Sequence, residues 1–313
     1  MARQKKGRAV HGVLLLDKPL GVSSNQVLQR VKWLFQAQKA GHTGALDPQA
    51  SGLLPLCFGE ATKFSQLLLD SEKAYETTAQ LGEVRSTGDS EGDVLSRSPV
   101  SALSVDDVEQ VLADFRGPVV QVPPMFSALK LDGKPLYELA RQGMSQQDAQ
   151  AIADKKRRTI TIHELTLREQ RDTQLDLFVR CSKGTYIRTL VEDIGAAIGC
   201  GAYVSRLHRT ATGPYQQEQM ITLAELERIA EQEGVAGLDA LLLPIDSALP
   251  TDWPVITLDD AQTQKIRQGQ ALSTGLNDVP SVQLRSVIDG QNVLIGIARI
   301  KGGGIRPQRL LQF

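Results

Sequence analysis

Apolar and polar residues recur along this chain with two periods, and the changes between them mark the expected elements. Residues 12–16 form a short continuous apolar run, the pattern of a buried strand. Ser24 is expected to cap a helix with Val27, Leu28, Val31, Leu34 and Phe35 on its apolar face. Residues 41–52, GHTGALDPQASG, are glycine-rich and polar and read as a loop. A strand follows at 53–58, then a helix carrying Phe64, Leu67 and Leu68. Tyr75, Thr77, Ala79 and Leu81 alternate as in a strand, and residues 86–93, STGDSEGD, read as an acidic loop.

The second half continues the pattern. Residues 104–107 open a helix with Val108, Val111, Leu112 and Phe115 on one face. Short strands are expected at 119–122 and 126–131, interrupted by Pro123-Pro124. Asp132-Gly133 is a hairpin-type turn, and 135–141 a short helix ended by Gly143. Ile160, Ile162, Leu165 and Leu167 form a strand with one irregular step, and Leu175, Leu177, Val179 and Cys181 a strictly alternating one. Ile187, Leu190, Val191, Ile194 and Ile198 give an amphipathic helix, followed by a strand over 203–209. Thr222 and Glu225 make a capping box for a helix to about Ala230. The strands come in hairpin-like runs rather than βαβ alternation, which predicts an α+β fold with a mixed, mostly antiparallel sheet flanked by helices. After Leu249-Pro250 the texture changes. One helix is expected over 258–268, then a hairpin from 282–288 and 293–298 around Asp289-Gly290. Residues 251–313 therefore read as a small, separate β-rich domain behind a larger one at 10–248.

Composition narrows the class. At 313 residues the chain is long enough for two or three domains. With 41% hydrophobic and 23% charged residues it is neither collagen-like, coiled-coil nor largely disordered. A net charge of −1 excludes a uniformly basic coat. The charge is uneven, however: +6 over residues 1–50, and +2 over both 151–200 and 251–313, the middle block holding the run Lys155-Lys156-Arg157-Arg158. If these blocks converge they make a surface for a polyanion. The three cysteines form no C-x-x-C pair and the four histidines are scattered, so no metal site is expected. Sparse cysteines suit a reducing compartment, and Cys57, Cys181 and Cys200 read as packing residues. The apolar run at 13–16 is too short for a signal peptide and no stretch has the length of a membrane span, so the cytoplasm is the expected location.

The loop GHTGALDP offers one imidazole, His42, one carboxylate, Asp47, and glycine backbone that lets a ligand approach closely. Taken alone, an Asp-Pro step is more often a turn. The longer stretch 41–64, GHTGALDPQASGLLPLCFGEATKF, resembles the signature of the TruB family of tRNA pseudouridine synthases. GVLLLDKPLGVSSNQVLQRVK (12–32), AYETTAQLG (74–82), VPPMFSALKLDGKPLYELARQG (122–143), CSKGTYIRTLVEDIG (181–195) and CGAYVSRLHRT (200–210) resemble the same family in the same order. The likeness covers about residues 10–245 and is weaker around 145–154 and in the C-terminal tail.

The resemblance implies a pseudouridine-synthase catalytic domain with a PUA-like RNA-binding tail. The activity it implies is conversion of a tRNA T-loop uridine (position 55) to pseudouridine. Asp47 corresponds to the family's catalytic aspartate, and His42 to a histidine that stacks in the RNA loop. Tyr75 would pack against the target base, Tyr186 and Arg188 would line the pocket with Arg188 pairing to the aspartate, and Leu207 would touch the base. The expected partner is the T-arm of tRNA, the expected state a monomer. Isomerisation breaks C1′–N1 and makes C1′–C5 with no redox change or net hydrolysis, so no cofactor or metal is required. Asp47 attack at C1′, addition at base C6, and a glycal route through C2′ deprotonation all remain open. A base must remove the C5 proton, and Tyr75 is one candidate. Lys18, Lys63, Lys130, Lys134 and the 155–158 run are expected to meet phosphates.

Overall fold

The computed structural model describes residues 7–124, 130–131, 134–135, 152 and 155–312. The alternating segments become strands. In chain order they are β1 (Gly12–Lys18), β2 (Ala40–His42), β3 (Ala50–Phe58), β4 (Lys73–Leu81), β5 (Glu83–Arg85), β6 (Val94–Arg97), β7 (Gly117–Gln121), β8 (Lys130–Leu131) and β9 (Lys134–Pro135). Next come β10 (Arg158–Arg171), β11 (Gln174–Cys181), β12 (Ala202–Thr212), β13 (Tyr215–Gln216) and β14 (Ile221–Thr222). The main sheet has the order β14-β1-β3-β12-β4-β11-β10-β7, with β2 added to β3 and β13 to β12. Only β1–β14 and β3–β12 run parallel within it, so the sheet is mixed and mostly antiparallel. The irregular step expected near Ile162 is a register shift between Ile162 and Glu164.

The helices are α1 (Ser24–Leu34), α2 (Ser65–Asp70), α3 (Val105–Asp114), α4 (Ile187–Ile198) and α5 (Leu223–Ala240). α3 and α4 cover one face of the sheet, where Val108, Leu112, Leu165, Leu177, Leu190 and Ile194 are buried together. α1 and α5 cover β1 and β3 through Leu14, Leu16, Val31, Phe35, Leu56 and Leu226. The two cores flank the place where β3, β12 and β4 lie side by side. There Leu207 pairs with Ala50 on one side and Thr77 on the other. There the 43–49 loop that leads into β3 meets β12, whose Arg209 donates to Gly44 O.

A second sheet has the order β15-β17-β18-β19-β16, from β15 (Val255–Leu258), β16 (Leu272–Ser273), β17 (Val279–Ile288), β18 (Gln291–Lys301) and β19 (Gly304–Leu310). The Asp289-Gly290 turn has positive φ at both residues, the backbone of a two-residue hairpin. This sheet and helix α6 (Asp260–Arg267) share a core of Leu258, Ile266, Val282, Leu284, Ile295 and Ile300. Leu294, Ile297 and Leu311 leave that core and pack with Val13, Leu15, Leu53 and Phe64 of the main body.

Four expectations need correction. Ser23, not Ser24, caps α1: its hydroxyl accepts from Gln26 N while the Gln26 side chain accepts from Ser23 N. The loop expected over 41–52 is shorter, because Ala40–His42 pairs with β3 through backbone hydrogen bonds that glycine-rich composition conceals. α5 continues past Ala230 to Ala240 by kinking at Gly234, whose φ of 65° interrupts the helix. The helix expected from Leu258 starts later, since Val255–Leu258 pairs with β17 and Asp259 provides the cap. The strand, turn and helix expected over 126–141 lie outside the described residues, except 130–131 and 134–135, which pair antiparallel.

Candidate active site

The β2–β3 loop carries Asp47, and its backbone is held from two directions. Ser24, the first residue of α1, accepts a hydrogen bond from Leu46 N at 2.8 Å and donates to Leu46 O at 2.9 Å. Gly21 N donates to Pro48 O at 2.8 Å, and Ala50 N to Asp47 O at 3.0 Å, closing the turn. Within this fixed frame the Asp47 side chain remains 48% exposed, open to an approaching molecule.

Arg188, at the start of α4, reaches the same point. Its Nη2 lies 3.0 Å from Asp47 Oδ2, while Nη1 donates to Thr87 O at 2.7 Å and lies 3.5 Å from Asp89 Oδ2. Arg188 is buried, and so is Asp89, which also accepts from the Thr87 hydroxyl and from Glu91 N. A guanidinium keeps its charge, so the fork is a permanent cation between two carboxylates. Loss of water on the walled side of Asp47 raises its pKa, Arg188 opposes the rise, Asp89 and Glu91 add to it, and Lys18 opposes it. Half the side chain still meets water, but the direction remains upward, because the protein wall outweighs a single cation. One turn along α4, burial pushes Glu192 up to about 7 against the pull of Arg188.

A second arginine organises the sheet side. Arg209 on β12 is 2% exposed, donates to Leu53 O at 2.7 Å and Gly44 O at 3.1 Å, and interacts electrostatically with the Tyr75 hydroxyl. Tyr75 is the register partner of Arg209 across β4–β12, as Thr77 is of Leu207. Tyr75 and Leu207 therefore share a face and both pack against the α4 core. Burial raises the Tyr75 pKa, with Arg209 opposing, so the hydroxyl is neutral at neutral pH. As a base it needs the phenolate, which this environment disfavours. His42 is half-buried, and burial followed by the charge of Arg209 lowers its pKa. Its ring is uncharged at neutral pH, and Nδ1 has no hydrogen-bond partner among the described residues.

The fold thus brings Asp47 and Arg188 into contact and ties Tyr75 and Leu207 together beside them. Tyr186 precedes Arg188 by two residues and is half-buried at the entry to α4. The lysines fare differently. Lys18 is fully buried, its ammonium donates to Pro19 O at 2.8 Å, and burial lowers its pKa to about 8. Lys18 has no open surface to offer a phosphate here, and its charge acts on Asp47. Lys63 donates to Glu60 Oε2 at 2.6 Å and Leu310 O at 2.7 Å, so it ties the C-terminal sheet to the main body rather than facing open solvent. The side chains of Lys130 and Lys134 lie outside the described residues.

Ser24, Asp89 and Arg209 are residues of the site that sequence reasoning passed over. Ser24 borders the helix, so its residue type points to a cap. Asp89 lies in an acidic run that looks like solvated loop. Arg209 falls in a quoted motif, yet nothing in strand alternation marks an arginine as buried. Among the described residues no group of three His, Cys, Asp or Glu side chains is arranged to hold a metal ion, and no helix is long and apolar enough to cross a membrane.

Comparison with known proteins places these features in a wider set. Residues 32–187 match the family model of the TruB pseudouridylate synthase N-terminal domain. Residues 188–250 match a tRNA pseudouridylate synthase B C-terminal domain, and 254–311 the C-terminal domain of pseudouridine synthase II TruB. The chain is 50% identical to tRNA pseudouridine synthase B of Pseudomonas putida (strain GB-1) over 314 residues, covering 100% of this chain and 99% of the relative. It is 49% identical to the protein of that name from Marinomonas sp. (strain MWYL1), covering 98% and 96%. Among solved structures, a Cbf5-Nop10-Gar1 complex contains a chain that matches with a TM-score of 0.71 at 25% identity, over 96% of this chain and 84% of that one. An H/ACA RNP bound to a substrate RNA containing 2′-deoxyuridine matches at 0.70 and 22%, over 100% and 92%, a likeness of fold.

Proposed function

The chain belongs to the TruB family and is an RNA pseudouridine synthase that isomerises uridine to pseudouridine in tRNA; from that premise we propose that its target is the T-loop uridine at position 55 and that Asp47 carries the reaction. What supports the role of Asp47 is one observation above all: an open carboxylate 3.0 Å from a buried guanidinium, on a loop whose backbone is fixed. Arg188 favours the ionised form of this carboxylate against the opposing effect of burial, and the group is still accessible.

The chemistry assigns the neighbours. The target base leaves its stack at a cost of a few kcal/mol. A neutral His42 ring offers a stacking partner, and base–aromatic stacking is worth about 1–3 kcal/mol. Asp47 supports cleavage of the C1′–N1 bond by one of the three open routes. The freed uracil turns between the walls of Tyr75, Tyr186 and Leu207, and C5 bonds to C1′. The C5 proton then leaves and N1 carries a proton in the product. Burial raises the Tyr75 pKa, so a Tyr75 base acts only if the reacting base itself lends driving force. Residues 10–248 form the catalytic unit on this reading, and 251–313 a PUA-like extension of the RNA surface. The protein works as a monomer in the cytoplasm without a cofactor.

The test is tritium release from tRNA labelled at C5 of its T-loop uridine, with wild type and Asp47→Ala in excess chelator. Release by wild type and none by the variant is the expected result. Release by Asp47→Ala removes Asp47 from the reaction. Label retained by both, with tRNA still bound, removes position 55 as the target.

A further inference from the structure

Tyr186 enters α4 with no side-chain cap of its own helix. Two residues distant in sequence hold it instead. Gln121, the last residue of β7, is 1% exposed. Its Oε1 accepts from Tyr186 N at 3.0 Å and its Nε2 donates to Tyr186 O at 3.1 Å, so only one orientation of the amide satisfies both bonds. Arg158, the first residue of β10, lies with its guanidinium carbon 5.0 Å from the centre of the Tyr186 ring and donates to Gly184 O. Gly184 has a φ of +78°, and a Cβ there would stand 3.1 Å from that carbon, so the guanidinium lies against a residue without a side chain. Gln121 and Arg158 are register partners across β7 and β10.

We propose that this cross-strand pair positions Tyr186 for the isomerisation, Gln121 through the backbone and Arg158 through the ring. The proposal rests on the reading of Tyr186 as a wall of the uridine pocket. Both are positioning residues, since they act through Tyr186. The buried amide takes the Tyr186 N–H and adds a second bond to the Tyr186 carbonyl, which already accepts from Leu190 N at 3.1 Å. The stacked cation restricts the ring to one side of its own backbone. The same grip steadies the turn from which Arg188, two residues on, reaches Asp47.

The experiment measures single-turnover tritium release, tRNA affinity and thermal melting for the full chain. The variants are Gln121→Ala, Arg158→Ala, Gln121→Glu and Tyr186→Ala. Gln121→Ala and Arg158→Ala are expected to slow release roughly 10–100-fold, the cost of a misplacement of about 1 Å, with tRNA affinity within about threefold of wild type in Gln121→Ala. Gln121→Glu supplies the sharper readout. A neutral carboxylic acid accepts from Tyr186 N and donates to Tyr186 O as the amide does, whereas a carboxylate accepts only and repels the carbonyl. Its rate relative to wild type should therefore be near one at low pH and fall as the new carboxyl ionises. The proposal is overturned if Gln121→Ala keeps the wild-type rate, if Gln121→Glu follows the wild-type pH profile, or if the loss in Arg158→Ala lies wholly in affinity. Should Gln121→Ala fail to fold, the Gln121→Glu profile decides. A wild-type rate in Tyr186→Ala overturns the pocket-wall reading itself. A slow Tyr186→Ala beside a normal Gln121→Ala overturns the clamp alone.

Discussion

A guanidinium between Asp47 and Asp89 does two jobs at the residue scale: it favours the ionised form of Asp47 and fixes where that carboxylate points. Arg188→Gln removes the charge and the fork together. Desolvation then acts unopposed by Arg188, so the Asp47 pKa rises further and the acid limb of the single-turnover rate moves to higher pH. A rate loss of about 100-fold on the plateau should accompany it; a limb that does not move separates Arg188 from Asp47 ionisation. Glu192 permits a test of stability. Its folded pKa of about 7 lies above the ordinary value of 4.5. A raised carboxyl contributes stability that is complete below the unfolded value and lost as pH rises through the folded one. Glu192→Gln should therefore gain stability over wild type between pH 5 and pH 8, by up to roughly 3 kcal/mol at about 1.4 kcal/mol per unit. Urea melts at the two pH values check it, and an equal difference at both would show that Glu192 is ionised throughout. Asp47 and Arg188 were legible in the sequence through the resemblance. Asp89 and Glu192 were not, because an acidic residue in a loop or on a helix looks the same whether water or an arginine faces it.

At the scale of elements the site depends on two neighbouring contacts of the sheet and α1. Gly52 has a φ of +100°, and a Cβ there would stand 2.3 Å from Arg209 O and 2.7 Å from Arg209 N. Gly52→Ala must push β3 and β12 apart and disturb the bond from Arg209 to Leu53. The expected cost is about 2–4 kcal/mol, with loss of activity, read by melting and tritium release. The adjacent serines at the start of α1 make a paired prediction. Ser23→Ala removes a cap and costs about 1 kcal/mol with activity kept. Ser24→Ala frees Leu46 on both sides, costs about 1–3 kcal/mol, and slows release more than tenfold. Equal rates in the two variants would show that the loop needs no anchor at Leu46. Helical and strand periodicity marked most of these elements. It missed β2 because three residues are too few to show a period, and misassigned the cap because Ser23 and Ser24 are chemically alike.

Over the whole molecule, the C-terminal sheet is joined to the main body by apolar packing and by ion pairs. Glu60 accepts from Lys63 at 2.6 Å and from Gln312 N at 2.6 Å, and Arg285 pairs with Asp246 at 2.6 Å. A double variant, Lys63→Ala with Arg285→Ala, should cleave faster near residues 250–254 in limited proteolysis while the sheet core at Ile295 and Ile300 stays protected from exchange. Cleavage at the wild-type rate would leave the apolar contacts as the whole attachment. The three basic blocks predict that the logarithm of tRNA affinity falls linearly with log salt concentration, and a flat dependence would leave them without a polyanion to meet. The sequence by itself determined the α+β class, the β-rich tail, the amphipathic helices and the motifs that place the chain in its family. All of these are written in local periodicity or in contiguous residues. Only the tertiary structure decided that Lys18 is buried, that Lys63 joins the two sheets, and that Ser24, Asp89 and Arg209 surround the loop and the arginine at Asp47. Each of these depends on what stands opposite a side chain from a distant part of the chain. Burial and pairing of a charge arise from that encounter, and no pattern along the chain records it.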